Sequence, residues 1–232
     1  MNFHFTISQN LLSVHNISTK KMPLVTVMRH SDRMDEDPSV IIPRIFDCPL
    51  SDKGVRRALN TKIPGVKKTF ASPMLRSVHT AVLSTGTHSF VDGVSTFTPN
   101  RVTVDNRLCE VWNRDVLRAP IDTVTLLTTE GYDAAMGIST ELILTDHPLP
   151  LTEESRGTGG TADERFLTAI QDISRENSDF DHILIVTHGD AVSSMASLVG
   201  LTVYETNYCC FITAEFNGTW KFVSSNGVGF LS

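Results

Sequence analysis

The four cysteines, Cys48, Cys109, Cys209 and Cys210, form no CxxC pair and have no histidine at zinc-finger spacing. That lack removes the zinc-ribbon and thioredoxin-like classes. Reduced, buried thiols are expected instead, with Cys209 and Cys210 as residues of an apolar strand. No apolar run approaches the ~20 residues of a membrane-spanning helix. Basic charge is also scarce: 20 Lys and Arg stand against 26 Asp and Glu, a net charge of −6. Nucleic acid is therefore not an expected partner, nor is a membrane, and any anion must be held by a local cluster of cations. The first 22 residues have neither the continuous apolar core of a secretory signal nor the arginines of a mitochondrial presequence. They read as an N-terminal leader, residues 23–232 as one domain, and the location as cytoplasmic. Internal repeats and low-complexity segments are absent.

Against this plain background one stretch stands out. Leu24 to Arg33, LVTVMRHSDR, is a β-rich apolar run that ends abruptly in Arg29-His30 and then Asp32-Arg33. A buried parallel strand fits the run, and ligands in open α/β sheets sit beyond the carboxyl ends of such strands. A second strand, His182 to Thr187, ends in His188-Gly189-Asp190 before a helix beginning near Ala191. A third, Val66 to Ser72, precedes a helix expected from Pro73 to Ser84 that carries Arg76 in its first turn, with Pro73 at the position where a missing N–H matters least. Val102 to Val104 is a fourth, followed by Arg107 and Glu110.

The remaining segments are connective. Met34 to Cys48 is a polar, proline-marked loop expected to lie over the strand ends. Ser51 is placed to cap a helix over residues 52–60, on which Arg56 and Arg57 read as a solvated face. Residues 112–160, rich in Thr, Pro and Gly, read as an irregular insertion that serves as a lid. Helical periodicity returns over Thr161 to Asn177, with Phe166, Leu167, Ile170 and Ile173 on one face. Asn217-Gly218 predicts a hairpin between Tyr208–Phe216 and Thr219–Val223. The whole is an α/β fold: three layers, a mostly parallel central sheet, and helices on both faces.

In a parallel sheet the four strand ends share one edge, which would gather Arg29, His30, Arg76, Glu110 and His188. Guanidinium forks match phosphate oxygens, an imidazole can attack phosphorus, and a carboxyl can protonate a leaving oxygen, so this set suits phosphoryl transfer. At these residues the chain resembles the histidine phosphatase superfamily, the phosphoglycerate mutase-like fold. The resemblance runs in order through Arg29-His30-Ser31, Pro49-Leu50-Ser51 with Gly54, Ser72-Pro73 with Arg76 and Thr80-Ala81, Leu108 to Glu110, and His188-Gly189. Asp32-Arg33 and the long segment before Thr161 look most like the phosphatase domains of T-cell-receptor signalling suppressors and steroid-phosphate phosphatases.

The resemblance implies that His30 forms a phosphohistidine, that Arg29, Arg33, Arg76 and His188 hold the phosphoryl group, and that Glu110 is the general acid. It also implies that no metal or cofactor takes part and that the substrate is a phosphorylated small molecule or phosphoprotein; a homodimer is compatible with it. Ser31 stands where the family has glycine. With a positive φ its Cβ would disturb the site, whereas with a negative φ it is harmless and its hydroxyl can add a hydrogen bond. Two other readings stand beside the phosphatase: a phosphoglycerate mutase-type phosphotransferase, and an inactive module that binds a phosphorylated ligand.

Overall fold

The two most apolar runs of the chain form the middle of the sheet. A computed structural model describes residues 23–231; the leader assigned to residues 1–22 lies outside them. β1 (Leu24–Arg29) and β7 (His182–Thr187) pair in parallel register, Leu24 opposite His182 and Arg29 opposite Thr187. Beyond β7 lie β2 (Lys68–Ala71), β5 (Val102–Val104) and β6 (Leu142–Leu144), all parallel. On the other side β1 pairs antiparallel with β8 (Val203–Phe216), which pairs with β9 (Trp220–Phe230). The seven strands run in the order β6-β5-β2-β7-β1-β8-β9.

Because strand side chains alternate between faces, the two central strands feed two cores. Val25, Val27, Ile183 and Ile185 pack with Phe166, Ile170 and Ile173 of α5 (Thr161–Glu176) and Val192 and Met195 of α6 (Gly189–Leu198). Met28, Leu184 and Val186 face the other way, onto Val78 and Val82 of α2 (Leu75–Thr85). The three-layer, mostly parallel arrangement expected from the sequence is the one observed, and the cysteines are free and buried as expected. Among the described residues no helix is long and apolar enough to cross a membrane.

α1 (Asp52–Asn60) begins at Ser51, whose hydroxyl accepts from the Gly54 amide at 3.1 Å. Its first turn is pressed against the chain that leaves β1. A Cβ on Gly54 would stand 2.2 Å from the Asp32 carbonyl oxygen, so only glycine lets the helix approach. Arg57, expected on a solvated face, instead pairs with the buried Asp32 carboxylate at 2.6 Å, and Lys53 reaches it at 2.9 Å. We expect Gly54→Ala to destabilise the protein by about 1–3 kcal/mol through overpacking, although alanine is the better helix former by up to about 1 kcal/mol. Urea unfolding checks the sign; a stabilised variant would show that the contact is soft.

Several local expectations need correction. α2 starts at Leu75 with Met74 as its N-cap, so Pro73 belongs to the approach rather than to the first helical position. Residues 112–160 are largely irregular, as expected, but not wholly so. They hold α3 (Arg114–Leu117), α4 (Thr129–Met136) and β6, which completes the sheet edge because its Leu142–Leu144 run finds β5 unpaired. A hairpin of β3 (Thr87–Val91) and β4 (Val94–Thr98), turning at Asp92 and Gly93 with φ of 51° and 81°, follows α2, where the sequence suggested only the end of a helix. β8 and β9 are also longer than the hairpin predicted around Asn217-Gly218.

Candidate active site

The ends of β5, β2, β7 and β1 are tied to one another just beyond the sheet. His30 N–H donates to the Thr187 carbonyl at 2.8 Å, Ser72 N–H to Val186 at 2.9 Å, and Asp105 N–H to Ala71 at 2.9 Å. These bonds carry the ladder one residue past each strand and aim the following side chains at one place. His30, Arg76, Glu110 and His188 meet there, all buried.

His30 is held in one tautomer by two contacts. Its Nδ1 lies 2.8 Å from the Ser31 carbonyl, which can only accept, so Nδ1 carries the proton. Nε2 therefore keeps its lone pair, and Arg76 Nε donates to it at 3.2 Å. Burial first, then the charge of Arg76 and the neighbouring His188, hold the His30 imidazole well below its ordinary pKa of 6.5. His188 is likewise lowered by burial. Its Nε2 is 2.8 Å from the Ser72 hydroxyl, and its Nδ1 is 3.0 Å from Glu110 Oε2, off the line of a good hydrogen bond.

Arg76 is the hub. Besides His30 it reaches Glu110 Oε2 through Nη2 at 3.0 Å and the Phe46 carbonyl through Nη1 at 3.2 Å, the last from the loop expected to lie over the strand ends. Asp47 in that loop accepts from the Leu75 amide at 2.6 Å and so fixes the start of α2. Burial raises the Glu110 pKa, but the charges of His188, Arg76 and His30 outweigh it and hold the carboxyl well below its ordinary range. Arg76 is the permanent cation of that set, and it bonds the carboxylate directly at 3.0 Å. His30, Glu110 and His188 present possible ligand atoms within 4.8 Å of one another. A metal ion there would face the Arg76 guanidinium, already bonded to two of the three, and the like charge opposes it.

Beneath Glu110 lies a second buried pair. Arg165 of α5 grips both oxygens of Glu154 at 2.7 and 2.6 Å and donates to the carbonyls of Arg107, Cys109 and Glu110. Glu154 Oε2 in turn accepts from the Trp112 amide at 2.8 Å.

Arg29 enters from β1. Its guanidinium carbon lies 4.2 Å from the centroid of the Tyr208 ring, Nη1 bonds the Thr206 carbonyl, and Nε is buried with no hydrogen-bond partner. A bulge in β8, with Cys209 at φ 57°, turns Tyr208 toward His30. Among the described residues Ser31 is not one of the non-glycine positions with positive φ. Its hydroxyl donates to the Gly54 carbonyl at 2.8 Å, and its amide donates to Thr80 at 3.0 Å.

Five of the six residues singled out from the sequence thus converge. The sixth, Arg33, lines the cleft but has its fork taken by Asp35, with Nε to Oδ1 at 2.8 Å. A carboxylate two residues along captured it. Sequence reading missed Tyr208, whose role depends on a bulge without a turn signal, and Arg118 and Arg156, which come from the insertion. Asp190, in the first turn of α6, also lines the cleft and is forked by Arg156 at 2.8 and 3.2 Å.

No protein-family model and no curated protein matches the chain. Solved structures do. An ecdysone phosphate phosphatase from Bombix mori, in complex with tungstate, aligns with a TM-score of 0.57 at 16% identity, covering 87% of this chain and 92% of that one. A putative alpha-ribazole-5'-P phosphatase from Escherichia coli aligns at 0.52 and 16%, covering 89% and 96%. A mutant phosphoserine phosphatase from Entamoeba histolytica, in complex with phosphoserine, aligns at 0.52 and 17%, covering 88% and 97%. The phosphoglycerate mutase-like fold expected from the ordered motifs is the fold these structures share with this chain.

Proposed function

We propose that this chain, with the fold of the phosphatases just named, is a phosphomonoesterase that works through a phosphohistidine at His30. The observation that carries the reading is the lone pair of His30 Nε2, kept neutral by burial and facing the Arg76 guanidinium, beside an Arg29 Nε that has no acceptor. A phosphoryl group supplies the acceptors these cations need. Arg29, Arg76 and His188 hold its oxygens and stabilise the loose transition state. His30 Nε2 bonds to phosphorus as the ester oxygen leaves with a proton, and water then hydrolyses the phosphohistidine with help from Glu110. Arg33, with its fork on Asp35, stands at the rim as part of a neutral pair and is not assigned a phosphate oxygen. The arginines supply the positive charge, so no step is assigned to a metal. The negative φ and intact carbonyl contact of Ser31 support catalysis over a purely binding role. Free buried thiols fit a cytoplasmic setting, and the substrate is a phosphorylated small molecule or phosphoprotein.

Turnover of an aryl phosphate, together with trapping of an acid-labile phosphoenzyme, tests the proposal; a chain that does neither is not this enzyme. The pH dependence follows from the charge states. Protonated His30 cannot attack, and its lowered pKa puts the acid limb below 6.5. Glu110 is ionised, so the proton for the leaving oxygen arrives with the ester monoanion and passes through the carboxyl. Because the second ionisation of a phosphate monoester lies at about 6, kcat/KM should fall roughly tenfold per pH unit above about 6.5. A maximum above pH 8 would show that Glu110 does not supply the proton.

A further inference from the structure

The cleft above His30 has a volume of about 670 Å³, room for far more than a phosphoryl group. Its outer wall is polar. Asn113, Asp115, Arg118, Arg156, Asp190 and Ser193 contribute, and Val116 is its one aliphatic side chain. The charges balance: Arg33 and Arg118 both bond Asp35 and Arg156 is paired with Asp190, so with Asp115 three arginines face three aspartates. Asp190 and Ser193 also line a neighbouring recess of about 180 Å³, together with Thr158, Asp163, Ser194, Ala162 and Val203. Binding an aryl or steroid skeleton here would strip water from these groups without replacing its hydrogen bonds, which costs about 1–3 kcal/mol per unsatisfied group. A wall of opposite charges in equal number offers no net attraction to a second anion either.

We infer that the alcohol portion of the substrate is hydrophilic and charge-balanced, hydroxylated or zwitterionic, and is not an aryl or steroid skeleton. This inference rests on the phosphatase reading and narrows it. It departs from the likeness to steroid-phosphate phosphatases drawn from Asp32-Arg33 and the long segment before Thr161, because the side chains that this segment sends to the cleft wall are mostly polar. Asp115 on α3 and Arg118 just after it are both exposed, and are specificity-determining residues on this account.

Alkyl phosphates with similar leaving groups isolate the effect: glycerol 2-phosphate and O-phosphoserine against cyclohexyl phosphate, with 4-nitrophenyl phosphate as a reporter of basic chemistry. The polar esters should exceed cyclohexyl phosphate by at least about tenfold in kcat/KM. The charge-neutral double substitution Asp115→Leu with Arg118→Leu should reduce that ratio while 4-nitrophenyl phosphate is still turned over. Equal or better use of cyclohexyl phosphate by the wild type overturns the inference and leaves the phosphatase reading standing. An unchanged ratio in the double variant overturns the assignment to this wall. No turnover of 4-nitrophenyl phosphate and no phosphoenzyme would remove both readings together.

Discussion

His30→Ala should leave no acid-labile phosphoenzyme and lower aryl phosphate turnover by about 10⁴–10⁶-fold, the loss seen when a nucleophile is deleted from a preorganised site. The expectation is this large because nothing nearby can substitute. The other imidazole, His188, has Nε2 on the Ser72 hydroxyl and Nδ1 beside Glu110, and the cysteines are poor candidates: burial pushes Cys109 and Cys210 up to about 12. His30→Gln, which keeps most of the volume, separates chemistry from packing. It should unfold close to wild type and be as inactive as the alanine variant. A His30→Ala protein that retained a tenth of the activity, or still trapped phosphate, would place the nucleophile elsewhere.

Arg76→Met should damage both activity and stability. Its guanidinium touches His30, Glu110 and the Phe46 carbonyl, so turnover is expected to fall by at least about 10²–10³-fold, as when one preorganised electrostatic donor is lost. The same change leaves Glu110 buried without its cation, and breaking such a pair costs about 3–5 kcal/mol. The pH dependence gives the mechanism away. In the wild type the Glu110 pKa is depressed, so its contribution is present above the unfolded value and is lost as pH falls. In the variant the Arg76 charge no longer depresses that pKa, so part of the contribution is lost, and the loss is fully felt above the unfolded value and fades as pH falls. The gap in unfolding free energy should therefore widen from pH 4 to pH 7, measured by denaturant titration. A constant gap would mean that Glu110 is not the group left stranded. Arg76→Lys should rescue little, since one ammonium cannot copy a fork that reaches two partners at fixed spacing.

The parts legible in the sequence were those where local pattern and tertiary position coincide. Leu24–Arg29 and His182–Thr187 are buried on both faces, so their apolar runs named them, and the polar residue just past each strand named the site edge. Ser51 and Gly54 wrote the start of α1 in capping chemistry. What escaped depends on partners distant in the chain. Leu142–Leu144 is a strand because β5 offers an open edge, and Tyr208 reaches Arg29 because a bulge rotates it, neither of which leaves a local periodicity. Arg33 was visible as a cation near the site, yet its capture by Asp35 depends on how the loop folds back, with the Met34 amide bonded to the Pro49 carbonyl at 3.0 Å.

Arg165 carries one more consequence. A single side chain closes the carbonyls around Glu110 and the Glu154 carboxylate at once, so the loop after β5 and the end of the insertion have no independent way to open. Fraying of either exposes the same guanidinium and releases the other, which makes the two segments one cooperative unit of local unfolding. Amide exchange at Trp112, whose N–H is held by Glu154, then reports on the positional order of a carboxylate at the reacting centre without any substrate being present.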